Sequence, residues 1–480
     1  MYIKDPQAPS SSMDTSSDPY HLELTQSLEY DQVKYSTQHN MFCMASVKAP
    51  FFETEDRKQR APIDLVCVID KSGSMDGMKI ELVKKTLSFV IDQLKQSDRL
   101  AIVEFDSDVT TSVKLTEMDQ QGKLTAQHSV KQIKAGSCTN ISGALFEAFE
   151  IIKQRNNPAT VSSILLFTDG LPTKGIMDQK KLTLMVEKFM NNNYLGPHPC
   201  TLFTFGFGVE HSANMLVSMS QVGGGLYYYV QKEDEIPQSF SDCLGGLIAV
   251  VAQNIVLKIK CSGDNGVVLK QVMTGEGGYK QQIIEPNREI HVRLGDLYAE
   301  ENRDIVFELE LPVLRSALEK QELVTVSLSY ANVVSTEMDQ LHCTSFISRS
   351  ESTLNSSGQP NLLIDRQRNR LLTVEALRQA KLYADSNALD SAKEVLNGAM
   401  LRIQQSPSER EDFCQGLVRD LRQCLNEMTT VDRYANVGSK MVNAYWCANV
   451  QQRSSHNTAT TYETKSKKCA KAKIVSFASK

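Results

Sequence analysis

No CxxC pair occurs among the eleven cysteines of this chain. That excludes the usual zinc-ribbon and RING spacings and offers no disulfide framework. Several cysteines, Cys67 and Cys243 among them, lie inside or beside apolar runs and read as small core residues. The eight histidines form no pair at metal-ligand spacing, and there is no GxSxG elbow. No charge of one sign dominates either. A formal net charge of −5 over 480 residues is too small to argue for nucleic acid or an acidic membrane as partner. Long apolar runs are also missing. The longest, Leu244–Ala252, falls far short of the roughly 20 residues of a membrane helix. The start, MYIKDPQAPSSSMDTSSD, lacks the apolar stretch of a secretory signal. These absences predict a soluble, reduced, intracellular protein, most simply cytoplasmic, with no membrane span.

What is present is a chain too long for one core, so two or three domains are expected. Residues 1–20 are polar and expected to be disordered. Residues 21–50 carry strand-like segments, Val33–Ser36 and Met41–Val47, which are expected to join a later β-sandwich. From 61 to 252 strands and helices alternate. Strands are predicted at Leu65–Ile69, Leu100–Phe105, Ser163–Thr168, Thr201–Phe207 and Leu226–Val230, with a polar edge strand at Val109–Leu115. Amphipathic helices are predicted at Ile80–Leu94, Ile141–Lys153, Lys181–Asn191, Ala213–Gln221 and Ile236–Val251. Such alternation implies an α/β domain, a mostly parallel sheet with helices on both faces. Over 254–347 helices vanish and turn signals separate short strands, the signature of a small antiparallel β-sandwich. A Ser- and Asn-rich linker is expected over 348–361. Helical periodicity follows within 362–450, at Leu362–Ile403 and Phe413–Met428. The last segment, 451–480, reads as a solvated basic tail, since Thr458–Lys480 has six lysines against one glutamate.

Chemistry concentrates in three short stretches. Val66–Met75 reads VCVIDKSGSM, a buried strand running into a carboxylate and two spaced hydroxyls just before a helix. Lys134–Ile141 reads KAGSCTNI and places Thr139 just ahead of a helix, and Ser163–Gly170 reads SILLFTDG, a strand ending in Asp169. In a parallel sheet the loops at the strands' carboxyl ends gather on one edge, where ligands bind. Asp70, Ser72, Ser74, Thr139 and Asp169 would then form an all-oxygen set. Such a set favours Mg²⁺, admits Mn²⁺ or Ca²⁺, and disfavours zinc. Three of the five are neutral hydroxyls, so an ion that the carboxylates bind through water keeps much of its charge for an outside anion, typically a carboxylate on a partner. DKSGS alone is also an ordinary helix cap, and TDG alone a turn. All five in order, each beside the right kind of strand or helix, make the cation site the better account.

These motifs resemble the metal-ion-dependent adhesion site of von Willebrand factor type A (vWA) domains. The resemblance covers roughly Ile63–Val251 and assigns the metal to Asp70, Ser72, Ser74, Thr139 and Asp169, with no position missing. It implies a Rossmann-like fold and binding without catalysis. More softly, Arg368–Leu396, RNRLLTVEALRQAKLYADSNALDSAKEVL, is similar to the Vwaint region of intracellular vWA proteins. Plant members of that group often carry a RING finger. This chain has no cysteine pairs for one, so ligase activity is not carried over. An adaptor or substrate-recognition role in a ubiquitin-ligase complex is the alternative expectation. Lesser candidates are the acidic loop Glu104–Asp108, the glycines 223–225, Met75 and Met78, and Cys138. Each has an ordinary reading as loop, turn, packing or bystander. Neither the partner nor the oligomeric state is legible.

Overall fold

The computed structural model describes residues 21–51, 60–191, 194–195, 200–263, 265–351, 360–455, 460–465 and 468. The start expected to be disordered, 1–20, most of the expected linker and most of the basic tail lie outside them. The chain opens with three strands, β1 (Glu23–Leu28), β2 (Gln32–Lys34) and β3 (His39–Lys48). Their partners come only after an α/β unit has intervened.

In that unit six strands alternate with helices: β4 (Ile63–Asp70), β5 (Arg99–Phe105), β6 (Val109–Glu117), β7 (Val161–Thr168), β8 (Thr201–Phe207) and β9 (Gly224–Val230). The helices are α1 (Met78–Gln93), α2 (Gln120–Gln132), α3 (Ile141–Gln154), α4 (Gln179–Asn191), α5 (Ala213–Val222) and α6 (Ile236–Leu247). The sheet order is β6-β5-β4-β7-β8-β9. All neighbours run parallel except β6, which turns back antiparallel along β5. Every residue of β4 and β7 is buried, as continuous apolar runs in a sheet covered on both faces require. Strand alternation then divides the core. Leu65, Cys67 and Ile69 pack with residues of α1, α2 and α6. Val66 and Val68 pack with α3, α4 and α5 on the other face.

The sandwich is built from β10 (Val250–Cys261), β11 (Val268–Met273), β12 (Lys280–Glu285), β13 (Glu289–Tyr298), β14 (Asn302–Leu311), β15 (Leu318–Asn332) and β16 (Met338–Ser350). One sheet runs β1-β3-β14-β11 and the other β12-β13-β10-β15-β16-β2, with an apolar layer between them. The opening strands therefore complete the sandwich, and the α/β unit is spliced between β3 and β10. Four longer helices follow: α7 (Leu362–Asp385), α8 (Leu389–Gln404), α9 (Asp412–Asn426) and a last one over Ser439–Gln451. They share one apolar core. Among the described residues no helix is long and apolar enough to cross a membrane.

The structure corrects four expectations. The helix expected over Ile236–Val251 stops at Leu247, because Val250 already pairs with Tyr298 in the sandwich. One apolar run thus serves two elements. The periodic stretch Leu362–Ile403 is two helices, broken where Asn387 adopts a positive φ of 62°. Residues 348–350, assigned to a linker, belong to β16, and Arg349 is buried with its guanidinium 2.7 Å from the Gln321 side-chain oxygen and 2.7 Å from the Pro312 carbonyl. Residues 451–455, assigned to a solvated tail, are largely buried, and Arg453 is held by Glu301. In both segments polar residues reach partners distant in sequence, so their composition reads as solvated.

One buried group gives the fold a pH signature. Between β8 and α5, His211 Nε2 lies 2.7 Å from the Tyr227 hydroxyl and the ring packs directly over Gly206, where a Cβ would come within 2.3 Å of it. Burial is the main cause that lowers its pKa to about 3, and Lys440 and Lys79 also disfavour the charged form. The unfolded chain takes up a proton near 6.5, whereas the fold refuses it until much lower pH. Stability from this site is therefore full above about 6.5 and falls as the medium is acidified. Relative to His211→Asn, the wild-type chain is expected to lose about 2 kcal/mol between about pH 7 and about pH 5 in urea unfolding. An unchanged difference contradicts the buried neutral ring.

Candidate metal centre

Strand β4 delivers Asp70 to the carboxyl edge of the parallel sheet, and the chain must turn there before α1 begins. Asp70 makes that turn itself, accepting from the Ser72 backbone N–H at 2.8 Å. Its other carboxylate oxygen accepts from the Thr168 hydroxyl at 2.5 Å. A single 3₁₀ turn over Gly73–Met75 follows, with Met75 in the core as helix packing requires and Met78 exposed. The turn brings the two serine hydroxyls within 3.2 Å of one another.

The second loop is tied to the first through its backbone. Gly136 N–H donates to the Lys71 carbonyl at 2.6 Å, and Gly73 N–H to the Ser137 carbonyl at 3.1 Å. Thr139 N–H donates to the Thr173 hydroxyl at 2.8 Å, and Thr173 N–H returns a bond to the Thr139 carbonyl at 3.0 Å. From the third loop, Asp169 accepts from the Ser74 hydroxyl at 2.6 Å on one oxygen and from Lys79 Nζ at 2.5 Å on the other. Gly170 lies beside both remaining hydroxyls, since a Cβ there would be 3.7 Å from Ser74 Oγ and 3.8 Å from Thr139 Oγ1. Asp70, Ser72, Ser74, Thr139 and Asp169 thus converge from three loops.

Both carboxylates are fully buried. Burial pushes the Asp70 carboxyl up to about 6, although bonds from Thr168 and Ser72 pull the other way, and neighbouring Asp169 adds to the rise. Two buried carboxyls side by side, faced by hydroxyl oxygens, form a donor set short of positive charge. A hard divalent cation fits that deficit. No group of three or more His, Cys, Asp and Glu side chains is placed for a metal among the described residues, so a softer-metal site of that kind is not offered elsewhere.

Three contributors escaped sequence reasoning. Thr168 braces Asp70, Thr173 braces Thr139, and Lys79 sits on Asp169. A signal existed for Thr168, which adjoins Asp169 at the strand end. Lys79 lies early in α1, five residues beyond Ser74, and nothing in the pattern distinguishes it from a solvated helix lysine. Of the lesser candidates, Asp106 adjoins the centre, its carbonyl accepting from Asn140 N–H at 2.9 Å, while Glu104 lies 3.9 Å from Lys71 Nζ. Of the glycines at 223–225, Gly223 makes the turn out of α5, and Gly224 and Gly225 open β9. Cys138 is exposed.

The comparisons agree with this architecture. The model of the von Willebrand factor type A domain matches residues 64–242, whereas over 363–470, the region expected to be Vwaint-like, the matching model is one described as the CPSF6-like RSLD domain, N-terminal region. Among curated proteins, the E3 ubiquitin-protein ligase WAV3 of Arabidopsis thaliana is 27% identical over 73% of this chain and 44% of its own length. WAVH1 from the same plant is 23% identical over 77% of this chain and 49% of its own. The chain therefore spans about half the length of these relatives. The bovine inter-alpha-trypsin inhibitor heavy chain H4 is 29% identical over 39% of this chain and 20% of its own. Among solved structures, a von Willebrand factor type A protein from Catenulispora acidiphila superimposes with a TM-score of 0.65 at 15% identity, over 89% of this chain and 98% of its own. The ArnB paralog VWA2 from Sulfolobus acidocaldarius reaches 0.55 at 17% identity, over 88% and 99%. Residues 64–242 of the chain form a von Willebrand factor type A domain.

Proposed function

We propose that Asp70, Ser72, Ser74, Thr139 and Asp169 hold a divalent cation, Mg²⁺ foremost with Mn²⁺ or Ca²⁺ able to replace it, and that the chain binds an acidic residue of a partner protein through that ion. The observation that carries this reading is the convergence of three hydroxyls on two fully buried carboxyls at the sheet's carboxyl edge. The bound ion supplies a Lewis-acidic point for a carboxylate. The protein holds the loop geometry through Thr168 and Thr173 and keeps the carboxyls out of water. The role is binding rather than catalysis, within the cell, with the sandwich and helices presenting the domain or recruiting something further.

A second reading is favoured by the two plant relatives named as E3 ubiquitin-protein ligases, which match across most of this chain. In it, the chain is the substrate-recognition arm of a ubiquitin-ligase complex whose catalytic part lies outside these residues. The two readings are compatible, because the captured carboxylate would belong to the substrate.

Affinity purification in Mg²⁺, in EDTA and with Asp70→Ala tests the first. Partners retained in Mg²⁺ should be lost in the other two conditions, and an unchanged partner set contradicts the metal bridge. Copurification of a ligase, and its loss on deleting 362–428, supports the second.

A further inference from the structure

The least expected contact at the centre is the one Lys79 makes. Its ammonium lies 2.5 Å from Asp169 Oδ2, the oxygen that Ser74 does not use, and 3.2 Å from the Ser74 carbonyl. The lysine side chain is 22% exposed, against none for the Asp169 carboxylate, so this pair is shielded from solvent far more than a surface ion pair is. Two nearby ion pairs form without Lys79. Glu81 pairs with Lys84 at 2.8 Å, and Lys71 faces Glu104 at 3.9 Å. Lys79 is therefore committed to the carboxylate that the candidate metal needs.

We propose that Lys79 is a built-in counter-cation of the centre, which weakens metal binding in order to leave the bound ion electropositive toward a partner. This rests on reading the centre as a cation site. Two carboxylates cancel a divalent ion and would leave a neutral cluster with little pull on an external anion. With Lys79 held on Asp169, the same cluster carries one net positive charge when the metal is in place. The lysine thus shifts affinity away from the metal and toward the carboxylate that completes its coordination. Because the two binding events share one charge balance, they are thermodynamically coupled.

The test uses the full chain with Mn²⁺ as the metal and acetate as the carboxylate, read by electron paramagnetic resonance of free Mn²⁺. Lys79→Met, which keeps the length and removes the charge, is expected to bind Mn²⁺ roughly tenfold tighter than wild type. Saturating acetate should tighten Mn²⁺ binding in wild type and do so less in Lys79→Met. Lys79→Arg, which keeps the charge, should follow wild type. Lys79→Gln provides the same reading should the methionine variant fail to fold. Unchanged or weaker Mn²⁺ binding in the neutral variants overturns the proposal, as does an equal acetate effect, or an arginine variant that behaves like the methionine one. If wild type itself binds no Mn²⁺, it is the reading of the centre that fails.

Discussion

Asp70→Asn is expected to lower divalent-cation affinity by at least about a hundredfold, the upper end of what loss of a supporting metal-site partner costs. It should leave the metal-free protein as stable as wild type, or more so. The second half follows from burial. The Asp70 carboxyl is fully enclosed and pushed up to about 6, so near neutral pH it is ionised at the expense of the fold. Its folded pKa exceeds the unfolded value, so this destabilisation is absent below the unfolded pKa and fully developed above about 6. Removing the charge relieves it, by up to about 2 kcal/mol once the changed bonding to Thr168 and Ser72 is allowed for. Thermal unfolding in EDTA and in Mg²⁺ reads both effects. Wild type should gain stability on adding Mg²⁺ and the variant should not, while in EDTA the variant should melt no lower. A variant that still responds to Mg²⁺ contradicts the role given to Asp70.

The second large effect lies far from the centre, where the last helix meets the sandwich. Glu301 accepts both Nε and Nη2 of Arg453 at 2.7 Å, Nη2 of Arg303 at 2.8 Å, and the Tyr298 N–H at 3.0 Å. The Arg453 guanidinium lies 3.6 Å from the Tyr298 ring centre and also donates to the Asp296 carbonyl at 2.8 Å. One carboxylate therefore neutralises two buried guanidiniums, one of which arrives from just past the helix end, after Gln452 takes a left-handed turn at φ 51°. Glu301→Gln leaves both cations buried without their counter-charge and is expected to cost about 3–5 kcal/mol. Guanidinium-chloride unfolding measures it. A loss below about 1 kcal/mol would mean that water reaches the pair and that the helices are not locked to the sandwich there.

Much of the vWA domain can be read from residues because its central strands obey one strong rule. A strand covered on both faces is largely apolar, and Leu65–Ile69 and Ser163–Thr168 each run straight into a carboxylate, Asp70 and Asp169, at the sheet edge where ligands gather. Elsewhere the signal fades for physical reasons. Helix α2 buries only Gly122, Ala126 and Val130, so its sequence QQGKLTAQHSVKQ shows no apolar stripe strong enough to mark it. Strand β12 is exposed at every position and has no alternation to find. The break at Asn387 depends on a backbone angle that the surrounding helical periodicity conceals. Lys79 is the clearest case at the centre. Its spacing on α1 suits a solvated lysine, and only folding β7 next to β4 brings Asp169 to it. Motif residues that must meet are legible as a set, but the groups that balance their charge are not.

The central claim is that three loops of the α/β unit hold one divalent ion, and anomalous diffraction from crystals of the intact chain grown with Mn²⁺ tests it most directly. The account predicts a single strong peak within bonding distance of the Ser72, Ser74 and Thr139 hydroxyls, lost in Asp70→Asn. A map with no peak there, or with its Mn²⁺ bound elsewhere while Lys79 stays on Asp169, would contradict it.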